Sequence, residues 1–449
     1  MEKLSHIYKQ LSSGGMVFVL DRGEVIDPQA EAMLQALHSR STGGIKHHLQ
    51  VLEEKGAENF MEKFYVGYGH KSIGDCGSVT VFVEGISMLA AKAIQDWRLY
   101  SGQESSTRYV DFSQQKFLNP AGNSLGEEIL EEWRRFYLSL QQPLFDFLSK
   151  RFPKGEDESE KIYQKAIRAR VFDIARSFLP AGAATNIAWH MNLRQFADEL
   201  MLLRHHPLAE VREIAEKTEE ALRQKYPQSF SHKRYQQTEE YNQQVMARYY
   251  HTKENAPEFA LVFDGIDRSL LENFRDILSQ RPPKTELPGY IAACGVLRYE
   301  FLLDFGSFRD LQRHRAVVQR MPLLTIQHGF HPWYLNELPA EWQEKSQEFL
   351  GEQEQRLQKL SVGDEIKQYY IAMGYRVPCQ VTGDLKALAY LVELRSSRFV
   401  HPTLVQRMLQ MIESLRGLFS QYGLVIHQDP EPSRFDVKRG EHDIVMKDE

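Results

Sequence analysis

The stretch of sequence that decides the fold ends in a polar run, Asp96-Trp97-Arg98-Leu99-Tyr100-Ser101-Gly102-Gln103-Glu104-Ser105-Ser106-Thr107-Arg108-Tyr109. Before it, the β-branched residues of Ser78–Val83 predict a strand, and Met88–Trp97 has helical composition. Hydroxyls, amides and a guanidinium crowded after a helix suit an anion, and a phosphate above all. A solvated polar loop without a ligand has the same composition, so both interpretations stay open at this point.

The composition is that of an ordinary globular protein, and it limits the function classes. A chain of 449 residues predicts two or three domains, and 42% hydrophobic residues supply a core for each half. The net charge of -6 gives no overall argument for nucleic-acid binding. The three cysteines, Cys76, Cys294 and Cys379, are too far apart for a disulfide framework or a zinc site. We therefore expect a cytoplasmic protein with no metal, no nucleic acid and no membrane partner.

Two halves of the chain show the same order of predicted elements. In the first half, four long helical segments follow the polar run: Glu127–Lys150, Lys161–Phe178, Met191–Arg204 and Leu208–Lys225. After a polar connection at 226–257, the second half has a strand and then helices: Arg298–Phe305, Ser307–Val317, Glu341–Leu360, Asp384–Arg395 and Pro402–Tyr422. We predict an α/β (α+β) protein of two tandem domains, at 1–235 and 236–449, each a small mixed sheet flanked by long helices.

The polar run resembles the signature of the flavin-dependent thymidylate synthase family. That family carries Arg-His-Arg, seven further residues, Ser, and then Arg-Tyr. The matching residues here are Arg98, Glu104, Ser106, Arg108 and Tyr109, while Asp96 and Trp97 replace the first Arg and the His. Upstream, Gly69, His70 and Ser72 match the family's Gly-His-x-Ser/Thr segment, but Asp75-Cys76 stands where Glu-His is usual.

The second half supplies what the first half lacks. It contains Arg313-His314-Arg315, but Leu323 stands where the Ser is expected. Arg-His-Arg alone is a weak signal, and the complementary loss in the two halves is the more specific one. Downstream, the family has a helix that begins with Asn-x-Arg and ends in an Arg that meets the nucleotide. Here that Arg corresponds to Arg204 in the first half and Arg395 in the second. The family's phosphate-binding Arg falls on Asn186 and, in the second half, near Pro378, with Arg376 close by.

The resemblance implies an enzyme that methylates dUMP reductively to dTMP. In the family, methylenetetrahydrofolate gives the one-carbon unit, reduced FAD gives the hydride and NADPH regenerates the flavin. The family's sites form between the subunits of a homotetramer, so the resemblance implies a homodimer that acts as a pseudo-tetramer. In that arrangement the parts of one site are divided between two diverged copies. A related flavin enzyme acting on another pyrimidine nucleotide, or a non-catalytic flavin- or nucleotide-binding protein, remains an alternative.

The resemblance also assigns roles to single residues. It implies catalytic roles for Arg98, Ser106 and Arg204. Substrate-binding residues are Gln103, Glu104, Ser105, Ser106, Arg108, Arg204 and Arg395. Flavin-binding residues are His70, Ser72, Arg313, His314 and Arg315.

Each role has a structural alternative. His70 can brace a turn, and arginines at helix ends offset the helix dipole. His328, His331 and Trp333 form a further group in the second half, for which local packing and a new ligand pocket are both open.

Overall fold

The computed structural model describes residues 6–20, 26–39, 41, 44–67, 69–105, 112–156 and 159–430. Of the predicted site residues, Ser106 and Arg108 lie outside these ranges, as does the charged tail after residue 430. The chain forms two compact units. Unit 1 comprises residues 1–110, 115–118 and 182–250, and unit 2 comprises residues 111–114, 119–181 and 251–449.

Nine strands form two sheets within the described ranges. In chain order they are β1 (His6–Gln10), β2 (Met16–Leu20), β3 (Ser78–Ser87), β4 (Ser101–Glu104), β5 (Ala184–Asn192), β6 (Phe259–Asp264), β7 (Val296–Asp304), β8 (Val318–Arg320) and β9 (Arg376–Asp384). The sheet of unit 1 has the order β1-β2-β3-β5-β4, and that of unit 2 has the order β6-β7-β9-β8. Every pairing is antiparallel, whereas the sequence predicted mixed sheets.

The α-helices of the described ranges surround these sheets. In chain order they are α1 (Pro28–His38), α2 (Gly44–Lys55), α3 (Glu58–Phe60), α4 (Lys71–Gly74), α5 (Met88–Gln95), α6 (Ser124–Arg151), α7 (Glu160–Ala175), α8 (Leu193–Leu203), α9 (Ala209–Lys225), α10 (Gln236–Met246), α11 (Arg268–Glu272), α12 (Arg275–Ser279), α13 (Phe305–Leu311), α14 (Pro332–Asn336), α15 (Ala340–Lys359), α16 (Asp364–Lys367), α17 (Leu385–Arg395) and α18 (Pro402–Phe419). Single 3-10 turns follow α7 and α18, and a π-helix spans Met61–Gly67. No helix in the described part of the chain is long and apolar enough to cross a membrane.

The strands and helices of the two sheets come in the same order along the chain. In unit 1, β3 leads into α5, the edge strand β4, the central strand β5 and then α8. In unit 2, β7 leads into α13, the edge strand β8, the central strand β9 and then α17. The division of the chain into two copies at residue 235 stays a prediction.

The long helices α6 and α7 belong to unit 2, although they precede β5 of unit 1 in the sequence. The indole Nε1 of Trp133 on α6 donates to the carbonyl of Tyr370 at 2.9 Å. Phe136 stacks on Phe349 of α15 with ring centroids 4.0 Å apart. The apolar face of α6 is therefore buried against residues from the second half of the sequence.

Two predicted helices differ from the observed elements. Met191–Arg204 was predicted as a helix, but β5 runs to Asn192 and α8 begins only at Leu193. The Asn192 side chain accepts a hydrogen bond from the Gln195 amide and thereby caps α8. The predicted helix at Ser307–Val317 ends earlier than predicted, because α13 ends at Leu311 and a turn follows it.

Candidate functional site

In unit 2, the structure brings together two residues that the sequence placed in different roles. The Arg313-His314-Arg315 triplet lies in the turn after α13, and Arg395 is the last residue of α17. The guanidinium Nε of Arg395 donates to Nε2 of His314 at 2.7 Å. We call these two residues the His314–Arg395 pair. A predicted flavin residue and a predicted substrate residue are thus in direct contact.

Local hydrogen bonds hold the triplet's turn in place. Asp304 caps α13 by accepting a hydrogen bond from the Ser307 amide at 2.9 Å. At the other end, the Gln319 side chain donates to the carbonyl of His314 at 2.6 Å and to that of Leu311 at 3.1 Å. Because the Gln319 side chain binds carbonyls at Leu311 and His314, the main chain of the turn is held beside β8.

His314 is a neutral, buried imidazole. Burial, and then the positive charge of Arg395, lower its pKa to about 3. Because Nε2 accepts from Arg395, the single proton of the neutral ring resides on Nδ1. The pair thus offers an imidazole N–H and an arginine as hydrogen-bond donors.

A carboxylate sits among the arginines of this region. Burial raises the pKa of Asp310, but Arg176, Arg313 and Arg395 outweigh burial and leave the pKa below its ordinary value. The Nε of exposed Arg313 lies 3.8 Å from Asp310. One ionised carboxylate therefore partly balances a positively charged surface, and the remaining positive charge favours an anionic ligand.

In unit 1, the residues at the positions of His314 and Arg395 form hydrogen bonds with other side chains. The indole of Trp97, at the position of the family's His, donates to the Gln195 side chain at 2.8 Å. Arg204, the counterpart of Arg395, donates from both Nε and Nη2 to the carboxylate of Glu239, with the Nε distance at 2.8 Å. Its Nη1 lies 3.5 Å from Glu219. The Arg204 guanidinium is thus occupied by carboxylates of this chain.

A cavity of about 280 Å³ adjoins Arg204 in unit 1. Lys71, from the Gly69–Ser72 segment, lines this cavity together with Arg194 and Arg204. His70 and Ser72 lie on either side of Lys71 at the start of α4 and are exposed. The structure therefore places the family's Gly-His-x-Ser segment near the predicted substrate arginine of the same half.

The predicted nucleotide loop begins as an edge strand. Gln103 and Glu104 lie on β4 and pair with Ala188 and Ile187 of β5, and the amide of Ser105 donates to the carbonyl of Asn186 at 2.8 Å. The sequence predicted a loop here, and the structure corrects that for Gln103 and Glu104. Arg98 is exposed in the turn between α5 and β4.

Sequence reasoning missed three residues that shape these sites. Asp310 neutralises part of the arginine group, Gln195 binds Trp97, and Glu239 binds Arg204. Only Asp310 had a usable signal, because it stands four residues before His314 and shares its side of a helical turn. In the described part of the chain, no three His, Cys, Asp or Glu side chains are grouped as ligands for a metal ion.

A second buried histidine leads to a prediction about acid stability. Burial, followed by the charges of Lys92 and Arg212, lowers the pKa of His206 in unit 1 to about 3, and Nδ1 of this ring accepts from the Leu208 amide at 3.1 Å. Between pH 6.5 and about 3 the unfolded chain binds a proton on His206 while the folded chain does not, so stability falls as the pH falls through this range. At pH 4.5 the loss from this one group amounts to roughly 2–3 kcal/mol.

The variant His206→Asn tests this effect, because the Asn side-chain oxygen can replace Nδ1 as acceptor. We expect the melting temperature of His206→Asn to depend less steeply on pH between 6.5 and 4.5 than that of the unchanged protein. His47→Asn, at an exposed histidine, is the control and keeps the original slope. An unchanged slope in His206→Asn would contradict the prediction.

Comparison with known proteins shows what a part of this chain is similar to. Residues 25–228 match the family model described as thymidylate synthase complementing protein. The resemblance to the flavin-dependent thymidylate synthase family is thereby confirmed for this part of the chain, which includes the Gly69–Ser72 segment and Arg204.

Individual relatives fall into two groups. A UPF0159 protein of Thermoplasma acidophilum is 25% identical, over 89% of this chain and 93% of its own length. A UPF0159 protein of Chlamydia pneumoniae is 27% identical, over 76% of this chain and 75% of its own. The flavin-dependent thymidylate synthase of Pyrococcus furiosus is 26% identical, over 36% of this chain and 62% of its own. The chain is thus similar to the UPF0159 proteins over most of its length and to thymidylate synthases over about a third.

Proposed function

We propose that this protein is an FAD-dependent thymidylate synthase-like methyltransferase, which converts dUMP to dTMP with methylenetetrahydrofolate and NADPH. The observation that carries the proposal is the contact between His314 and Arg395. The two residues come from separate sequence motifs, one associated with flavin and one with the nucleotide. Hydride transfer requires flavin and pyrimidine to lie side by side, and adjacent binding residues meet that requirement.

The residues of this region fit FAD by their chemistry. FAD offers ring carbonyls, a ring nitrogen and a diphosphate, all of which accept hydrogen bonds. The His314–Arg395 pair offers an imidazole Nδ1–H and a guanidinium, and Arg313 and Arg315 add two exposed positive charges. Arginine forks suit the oxygens of phosphates and carbonyls. The match of donors to acceptors supports FAD as the cofactor, with Arg313, His314 and Arg315 holding it.

In the proposed reaction the protein supplies position and charge, while bound reduced FAD supplies the hydride. Arg395 orients the pyrimidine nucleotide by donating to its oxygens. His314 keeps its single proton on Nδ1 at neutral pH, because its pKa is far below 7, and therefore donates without adding a full charge. Arg313 and Arg315 attract the anionic ligands to the surface. Ser106, Arg98 and Arg108 stay predicted substrate contacts.

Two residues of unit 1 differ from those of the family, and this difference favours a second candidate function. That candidate is the same flavin chemistry on another pyrimidine nucleotide. Asp96 and Trp97 replace an Arg and a His of the family, and Trp97 is bound to Gln195. A site in which an acidic residue replaces an Arg and an indole replaces a His is expected to select its substrate differently. Parallel assays with dUMP, dCMP and UMP separate the two candidates.

The test of the proposed function combines binding and turnover. The purified protein should show a flavin absorption spectrum, oxidise NADPH only when dUMP and methylenetetrahydrofolate are present, and rescue a thymidine-requiring strain. We expect Ser106→Ala and Arg313→Met each to lower this turnover by about tenfold to a hundredfold, the usual cost of one hydrogen bond to a charged group. Arg135→Met, on the exposed side of α6, is the matched control and should leave it unchanged.

Two results would overturn the proposal. Flavin binding with no response of NADPH oxidation to any pyrimidine nucleotide would leave only the non-catalytic binding function. Full activity in either Ser106→Ala or Arg313→Met would contradict the division of one site between two copies. The homodimer stays a prediction, and a native mass of a single chain would contradict it.

A further inference from the structure

Residues 229–250 follow α9 in unit 1 and form a segment that we call the strap. The strap includes α10 and begins just after residue 228, where the match to the family model ends. The sequence predicted a polar connection here rather than part of a core. In the structure the strap instead contacts Asp96 and Arg204, the two positions on which the family's triplet and its nucleotide-binding arginine fall in this half.

Near its middle, the strap places a carboxylate on Arg204. The Glu239 carboxylate accepts from both Nε and Nη2 of Arg204, and its Oε2 lies 2.9 Å from Nε2 of His205. This two-point fork is the geometry in which a guanidinium binds the phosphate or carboxylate of a ligand. The hydrogen bonds from Arg204 lower the pKa of Glu239, so the carboxylate is ionised at neutral pH. Glu239 therefore occupies the donors with which Arg204 would bind an anion.

A second ion pair joins the strap to α9 with the charges reversed. Arg234 of the strap donates to Glu219 at 2.7 Å, and Glu219 also lies 3.5 Å from Nη1 of Arg204. The strap thus gives a carboxylate to an arginine of unit 1 and an arginine to a carboxylate of unit 1. Complementary charges in both directions fix the position of the strap against α9.

The end of the strap is anchored at Asp96. The hydroxyl of Tyr249 donates to the Asp96 carboxylate and accepts from Nζ of buried Lys92 at 3.0 Å. The Tyr249 ring also packs edge-on against His206, with ring centroids 4.5 Å apart. Asp96 stands where the family has the first Arg of its triplet. The carboxylate at that position therefore binds the strap.

Between these anchors, α10 has little apolar contact with the rest of unit 1. Its buried residues are Asn242 and Met246, whereas Tyr241 is 66% exposed. An element with so little buried apolar surface opens locally at a lower free-energy cost than the core of its domain. The docking of α10 thus depends largely on the ion pair between Glu239 and Arg204.

The strap also forms part of the wall of the cavity of about 280 Å³ beside Arg204. Phe230, Tyr235 and Glu239 of the strap line this cavity together with Lys71. Movement of α10 would therefore expose the Arg204 guanidinium and open the cavity at the same time. Closure of a site by a mobile element on a stable domain is a common means of control.

We propose that the strap is an autoinhibitory lid, which closes the Arg204 site of unit 1 by placing the Glu239 carboxylate where an anionic ligand would bind. While the strap is docked, nucleotide binding is left to the region of Arg395 in unit 2. An anion reaches Arg204 only after α10 has moved. The statement about nucleotides rests on the proposed function, whereas the closure of Arg204 does not.

Chemical modification of arginines tests the closure without any ligand. Phenylglyoxal reacts with accessible guanidiniums, and peptide mass spectrometry of the full chain gives the rate at each arginine. We expect Arg204 to react about tenfold or more faster in Glu239→Ala than in the unchanged protein, because a charged hydrogen-bond partner has been removed. Glu240→Ala is the matched control, since Glu240 is the next residue of α10 and is exposed. Exposed Arg135 on α6 gives the reference rate.

Hydrogen exchange provides a second measurement, which also shows that the variant is folded. We expect the amides of α10 to exchange about tenfold faster in Glu239→Ala, whereas those of α9 keep their protection. Two results overturn the closure. The first is an Arg204 in the unchanged protein that reacts as fast as Arg135. The second is an equal rate at Arg204 in Glu239→Ala and in the unchanged protein.

Calorimetry with dUMP on the full chain saturated with FAD separates the closure from the proposed function. We expect Glu239→Ala to bind more dUMP per chain at saturation than the unchanged protein, by about a factor of two, because a second arginine becomes accessible. An equal capacity would overturn the statement that the strap limits nucleotide binding. If dUMP binds to neither protein, the proposed function fails, while a faster reaction of Arg204 in Glu239→Ala still supports the closure.

Discussion

Replacing Arg395 by Met is expected to lower kcat/KM for the pyrimidine nucleotide by about a hundredfold to a thousandfold, which corresponds to roughly 2.7–4 kcal/mol. The guanidinium is the donor that contacts His314, and the proposal gives it the substrate as a second partner. Met keeps a side chain of similar length without the charge. Steady-state kinetics with dUMP measures the loss.

A second measurement on Arg395→Met does not depend on activity. Arg395 is, after burial, the largest cause of the low pKa of His314. Its removal should therefore raise the pKa of His314 from about 3 toward the ordinary value, and NMR titration of the imidazole follows the change. Arg204→Met is the informative comparison, since the Arg204 guanidinium already binds Glu239. We expect a smaller loss of kcat/KM there, less than about tenfold. An unchanged His314 pKa and unchanged kinetics in Arg395→Met would contradict the role of the pair.

The elements that the sequence predicted well are those with a strong local pattern. The β-branched residues of Ser78–Val83 predicted β3, and the side chains of Val79, Val81 and Val83 are buried. Two central strands, β5 and β9, were missed. In β5, Ile187, Trp189 and Met191 alternate with smaller or polar residues and are buried, but the end of this strand was assigned to the following helix, so its alternation was overlooked.

For the candidate site, the sequence predicted single residues but not the contacts between them. The sequence predicted His314 and Arg395 individually, because each lies in a motif. It could not predict that they touch, because 81 residues separate them and only the antiparallel packing of the fold brings the two helix ends together. It also could not predict that Glu239, in a polar connection, would bind Arg204. Contacts between distant residues depend on tertiary structure, which local pattern does not contain.

The assignment of α6 to unit 2 leads to the prediction with the largest effect on stability. Trp133 is 1% exposed, its ring packs edge-on against Phe349 at 5.0 Å, and its Nε1 donates to the Tyr370 carbonyl. Trp133→Ala removes the packing and leaves a cavity, which costs about 3–5 kcal/mol of unfolding free energy. In a unit of this size that corresponds to a melting temperature lower by about 10 °C.

Trp133→Phe separates the two contributions, because it keeps most of the apolar volume and removes only the N–H. Its expected cost is about 1–3 kcal/mol, since the Tyr370 carbonyl is left without that donor. In thermal unfolding of both variants, the transition in which unit 2 unfolds should occur at a lower temperature. A change of less than about 1 kcal/mol in Trp133→Ala would mean that α6 does not depend on its packing against residues 251–430. The expected large loss would instead mean that α6 is held by this apolar packing, which a fragment ending at residue 235 would leave uncovered.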